Sequence, residues 1–350
     1  MSRRTLLRRD GRQAVGAAAL LTAAVMLTLG ASAVPVALAG APAAAVPLIA
    51  VVAPVRSCGC FGVLAKQGSL HAPWITEYKS ETLYVAVATD PKHGPLIGII
   101  TGRDVAMVKE GSLSAPWHKL YTGATAIAVA SDPKHGPLIA IVTKSGEALV
   151  KEGSLSAPWV REHSGVQTAM TAISVASDPV HGPLIGLVTA ASEVLVKEGS
   201  LRARWNSEHG SVFQVAVASD AKHGPLIGVI LLRTGVVLAK DGRLTASWVK
   251  EHGESSGIAV ASDPTNGPLI VLQVPTASSY AALAKEGSLT APWDREYSTG
   301  VLAVAAASDA VHGPMIGLGR GYSDSLVKEG SLTAAWVKER SQVPAIGVAG

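Results

Sequence analysis

The chain has 350 residues, 48% of them hydrophobic, with 30 lysines and arginines against 26 aspartates and glutamates. The first 39 residues hold five arginines and one aspartate, which accounts for the whole net charge of +4, so the remainder is neutral. A nucleic-acid partner therefore loses the electrostatic attraction on which its affinity rests.

The amino terminus begins with "SRRTLLR" (Ser2–Arg8), continues through a Gly/Ala-rich apolar stretch from about Ala14, and offers small residues for cleavage at Ala37–Ala39. The Arg3–Arg4 pair resembles a twin-arginine export signal. An ordinary secretory signal with a basic start fits the same residues. Residues 1–39 are set apart as a signal peptide on either reading, and Pro35 and Pro42 argue against a retained anchor. The mature chain is expected outside the cytoplasm, without a membrane span. Cys58 and Cys60 are the only cysteines. A bridge across one residue closes a small, strained ring, so they are read as unbridged neighbours, with a structural disulfide as the alternative in an oxidising compartment.

From residue 44 to 350 the sequence repeats itself. "GSLxAxW" or a close variant ends at Trp74, Trp117, Trp159, Trp205, Trp248, Trp293 and Trp336, which are all the tryptophans of the protein. A second phrase, "SDxxHGPLI", recurs around Asp90, Asp132, Asp178, Asp220, Asp263 and Asp309. Each unit reads as four short strands. In the unit starting near Ile127 these are "IAVAS", "LIAIVT", "EALVKE" and "WVREH", separated by dense turn residues. No helical periodicity survives ten residues without meeting Gly or Pro. Four strands per repeat of this length are the mark of propeller blades.

The ends complement one another. The first unit lacks its "IAVASD" strand and starts at "PLIAVV" (Pro47–Val52), while the last runs on to "AIGVAG" (Ala345–Gly350). The expected fold is all-β: a seven-bladed β-propeller, closed by the C-terminal strand pairing into the first blade, which removes free sheet edges. The small residues Ala86, Ala128, Ala216 and Ala259 place "IAVAS" nearest the axis and the tryptophan strand outermost. The "SDPKHGP" and "GSLSAP" turns then share one uniform face. The loops of the other face vary, and "LQVPTASS" (Leu272–Ser279) has no counterpart elsewhere.

Candidate ligand contacts are the groups every blade repeats. The tryptophans either pack between blades or offer stacking platforms for sugar C–H groups. Four residues after each comes Tyr78, Tyr121, His163, His209, His252 or Tyr297, with Arg340 in the seventh copy. By strand alternation this side chain is expected on the tryptophan's own face. The turn histidines His93, His135, His181, His223 and His312 are the third set. Their Asp partners are read as turn chemistry, Asp accepting backbone N–H groups and Gly taking positive φ. The repeated Lys, and the Glu three after Trp, are read as weak cross-strand pairs. No metal or cofactor is expected, and no enzyme, because a catalytic centre is asymmetric whereas every polar group here recurs.

The pattern of Leu-x-Lys-Glu-Gly-Ser-Leu followed by Trp resembles the blade of tectonin- and tachylectin-like propeller lectins, including the bacterial fucose-binding ones. The resemblance implies a multivalent carbohydrate-binding module with sites between blades. The rival expectation is a secreted scaffold that binds a surface protein through the variable face, and the third is a propeller glycosidase or lyase without a recognisable motif.

Overall fold

The computed structural model describes residues 46–350, apart from 170 and 322, together with Val36–Ala37. Seven four-stranded antiparallel sheets follow one another around an axis, each ordered from inside outward. The third blade is typical: Ala124–Asp132 innermost, then Gly136–Thr143, Glu147–Glu152 and Val160–Ser164. The expected ring is present. Ala345–Ala349 pairs antiparallel with Leu48–Val55, from Leu48 opposite Ala349 to Val52 opposite Ala345, and completes the first blade from both ends of the chain. Val36–Ala37 runs parallel to Ala307–Ser308 at the axial edge of the seventh blade. The rest of the expected signal segment lies outside the described residues.

Burial explains the strand order. Ile173–Asp178 and its partner Gly182–Val188 are buried at every position, because innermost strands press on both neighbouring blades. Small side chains such as Ala128 and Ala216 allow that crowding. The β-branched residues beside them fill the space between blades, each worth about 1.5–3 kcal/mol on full burial. The outermost strands, such as Val160–Ser164, are half-buried or exposed. They start after the tryptophan rather than on it. Among the described residues no helix is long and apolar enough to cross a membrane.

The cysteines correct an expectation. Cys58 and Cys60 form a disulfide, with their Cα atoms 5.2 Å apart. The N–H groups of Cys58 and Gly59 both bond to the Val55 carbonyl, and Gly59 takes a φ of 63°, so the hairpin tip brings the two sulfurs together without displacing the strands.

Candidate functional site

Each blade junction is tied by the same side chains. Lys66, Lys109, Lys151, Lys197, Lys240, Lys285 and Lys328, on the third strands, are between 1 and 5% exposed. Each ammonium bonds the Leu carbonyl four residues on, as Lys151 does with Leu155 at 2.9 Å. Six of them also meet a glutamate of the preceding blade: Glu339 with Lys66 (2.6 Å), and Glu77, Glu162, Glu208, Glu251 and Glu296 with the lysines that follow. The expected weak pairs within a blade are thus buried bridges between blades. Burial pushes the Glu251 and Glu296 carboxyls up, against the opposing pull of Lys285 and Lys328. Breaking such a pair by removing one partner costs about 3–5 kcal/mol, since the other charge is left buried.

The tryptophans belong to the same clamp. The indole N–H groups of Trp117, Trp205, Trp248, Trp293 and Trp336 donate to the backbone carbonyl of that preceding glutamate, at 2.9–3.2 Å. A lysine lies over each ring, 4.5–5.3 Å from its centroid. The ring four residues on does not join its own blade's tryptophan. It packs edge-on against the next one: Tyr78 on Trp117, Tyr121 on Trp159, His163 on Trp205, His209 on Trp248, His252 on Trp293 and Tyr297 on Trp336, with centroids 5.8–6.5 Å apart. A bulge in the pairing of the two outer strands turns the side chain toward the neighbour, which simple alternation does not anticipate. At the closing junction Arg340 takes this place, 5.9 Å from the Trp74 ring. All seven indoles remain half-buried.

On the uniform face the Asp-His pairs are turn chemistry, as read. One oxygen of Asp132 accepts the N–H groups of Lys134 and His135. The other accepts the hydroxyl of Ser177 from the next blade and contacts Nδ1 of His135 at 3.0 Å. The glycine after each histidine or Asn266 holds a φ of 72–78°. Burial alone would raise the Asp132 and Asp220 carboxyls, but the Ser177 or Ser262 hydroxyl and the turn N–H groups outweigh it and hold them below the usual range. With Nδ1 committed to aspartate, any ligand contact by His93, His135, His181, His223 or His312 falls to Nε2. Glu198 and Glu329, close to His181 and His312, have carboxyls raised by burial, and each keeps one buried oxygen without a partner.

The cavities lie elsewhere. Among the described residues, three open on the variable face at blade junctions, where the loop between second and third strands meets the segment leaving an outermost strand. One of about 390 Å³, between the first two blades, is lined by Tyr78, Glu81, Thr101 and Arg103 among others. Another of about 410 Å³, between the fifth and sixth, is lined by Phe213, Leu232, Arg233, Glu254, Pro275 and Tyr280. The third, about 560 Å³, sits at the closing junction against Arg56, Lys79 and Arg340. Of the repeated candidates, Tyr78 alone lines one of these three. Sequence reasoning passed over the rest because their loops share no repeated phrase.

No family model matches the chain, and no curated protein sequence does. Among solved structures it is similar to the BP39L lectin from Burkholderia pseudomallei, with a TM-score of 0.59 at 14% identity over 82% of this chain and 94% of that one. It is also similar to BBS1N in a complex with ARL6DN, TM-score 0.52 at 13% identity over 72% of this chain and 79% of that one. A third is the GH74 enzyme of Niastella koreensis, TM-score 0.50 at 11% identity over 70% of this chain and 44% of that one. A lectin, a protein complex and an enzyme thus share the β-propeller fold, and that fold is what the likeness shows.

Proposed function

We propose that the chain is an exported carbohydrate-binding propeller whose weak sites repeat at the blade junctions. The observation that carries this reading is the pair of rings contributed by two blades: a half-buried indole, and a Tyr or His edge-on to it, at six of the seven junctions. Indole supplies an apolar surface for sugar C–H groups, and the neighbouring hydroxyl or imidazole supplies a hydrogen bond. The inner half of each tryptophan serves the clamp, so only its outer part is offered to a ligand. Each site alone leaves little affinity after the costs of association. Several on one rigid disc raise avidity by roughly a hundredfold or more toward a glycan-coated surface.

Calorimetry with a panel of neutral monosaccharides tests this. Several sites per chain are expected, lost stepwise as Tyr121, His209 and Tyr297 are replaced by alanine, and no heat with any sugar would overturn it. The rival, a scaffold for a surface protein, is favoured by the cavity between the fifth and sixth blades, where Phe213, Leu232, Pro275 and Tyr280 give an apolar part to the wall. It expects one partner at one-to-one stoichiometry, indifferent to free sugar. Export by the twin-arginine route expects secretion to fail when Arg3 and Arg4 both become lysine, whereas the general route tolerates that change.

A further inference from the structure

The cavity at the closing junction differs in charge from the other two. In each of those, one arginine lines the wall together with one glutamate: Arg103 with Glu81, and Arg233 with Glu254. At the closing junction Arg56, Lys79 and Arg340 come together with Pro54, Val55, Ser57, Leu64 and Thr76, and no acid lines it. Among the described residues none of the three cations has an ion-pair partner. The part of the chain after residue 39 is neutral, so this is a local concentration of charge rather than a general one.

The three are held in place by different means. Arg340 stands where the other blades carry Tyr or His, and its backbone is fixed at both ends by Ser325, whose hydroxyl accepts from the Arg340 N–H at 3.1 Å and donates to its carbonyl at 2.8 Å. Its guanidinium lies 5.9 Å from the Trp74 ring, which leaves it beside an aromatic surface. Arg56 opens the turn that the Cys58–Cys60 disulfide closes, so the bridge limits the motion of the loop presenting it. Lys79 leaves the outermost strand of the first blade directly after Tyr78.

We infer that this cavity binds an acidic saccharide, its carboxylate or sulfate held by Arg56, Lys79 and Arg340 and its ring lying against Pro54, Val55 and Leu64. Guanidinium groups bond carboxylate and sulfate oxygens two at a time, which suits them to this task. A volume of about 560 Å³ is that of an ordinary small-ligand site. The inference rests on the carbohydrate-binding reading and deepens it: six junctions present a Tyr or His ring to the next tryptophan, and the seventh presents cations. A saccharide is favoured over an acidic peptide because the cavity continues the series of junctions read above as sugar sites, with the Trp74 ring beside Arg340.

Calorimetry on the mature chain with a uronic-acid disaccharide, its carboxyl-reduced neutral counterpart, inorganic sulfate and an oligoglutamate peptide tests the inference. The uronate is expected to bind at one site at least tenfold tighter than the neutral sugar, weakening as salt rises. The double variant Arg56→Ala, Arg340→Ala should lose that site while melting at an unchanged temperature, since both side chains are exposed. Equal binding of acidic and neutral sugars would overturn the inference and leave the lectin reading standing. Absence of heat with either sugar would overturn both. Uronate binding that survives the double substitution would place the anion elsewhere. Sulfate or oligoglutamate binding as tightly as the uronate would make the cavity a simple anion or peptide site.

Discussion

The ammonium of Lys151 lies 4.5 Å from the centre of the Trp159 ring, nearer than any of the other six lysines approach their tryptophans. The reason is the residue opposite. Where the preceding blade offers a glutamate at six junctions, it offers Leu120 here, so among the described residues the buried lysine meets the Leu155 carbonyl and the indole face, with no carboxylate. Burial pulls the Lys151 amine below the usual lysine range.

Replacing Leu120 by glutamate should therefore stabilise the protein by about 1.5–3 kcal/mol, the usual worth of a hydrogen bond to a charged group. A lowered folded value means that stability from Lys151 is complete above the ordinary lysine range and is lost as pH falls through the folded value. The advantage of Leu120→Glu should thus be largest near neutrality and shrink toward pH 10. Urea unfolding at pH 7 and pH 10 measures both, and an unchanged midpoint at pH 7 would show that the indole already satisfies the amine. The complementary change, Glu251→Gln, should cost about 3–5 kcal/mol by orphaning Lys285.

Closure makes a separate prediction. Ile346 is fully buried in the strand that completes the first blade, among residues from the start of the chain. Ile346→Ala should cost about 2–5 kcal/mol through lost burial and the cavity left behind. Deleting Ala345–Gly350 should remove cooperative unfolding altogether, because Leu48–Val55 then becomes an unpaired inner edge. A truncated chain that melts like the full one would break the account of the ring.

The ring itself was legible because its evidence is periodic. Seven tryptophans at nearly equal spacing and two complementary ends leave little choice of architecture. What spacing does not reveal is the partner across a junction. Lys109 and Glu77 are 32 residues apart and meet only because adjacent blades lie face to face. The same holds for Tyr78 and Trp117, and for the hydroxyl that Ser177 lends to Asp132. The closing cavity was harder still. Arg340 was visible as the one departure from a ring residue, but Arg56 and Lys79 join it from the opposite end of the chain. The disulfide is not legible in the spacing of Cys58 and Cys60, because turn geometry, not separation alone, sets their Cα distance.

Two kinds of carboxylate on the uniform face should respond to acid in opposite directions, and this is the sharpest test of the turn geometry. The Asp220 carboxyl sits below its ordinary value, so its contribution is complete above the unfolded value and is lost as pH falls through the folded one. Removing its partner with Ser262→Ala should cost about 1–2 kcal/mol at pH 7 and progressively less toward pH 3. The Glu198 carboxyl sits above its ordinary value because burial outweighs the pull of His181. Its protonated form is favoured by the fold, so stability is complete below the unfolded value and is lost as pH rises through the folded one. Glu198→Gln, which is neutral throughout, should therefore gain about 1 kcal/mol over the native chain at pH 8, since the buried oxygen then no longer carries charge without a partner. That gain should vanish near pH 4. Thermal melts across pH 3–8 read both variants at once. If the two difference curves run parallel instead of converging from opposite sides, the Ser262 hydroxyl is not what lowers Asp220, and the burial of Glu198 is not what raises it.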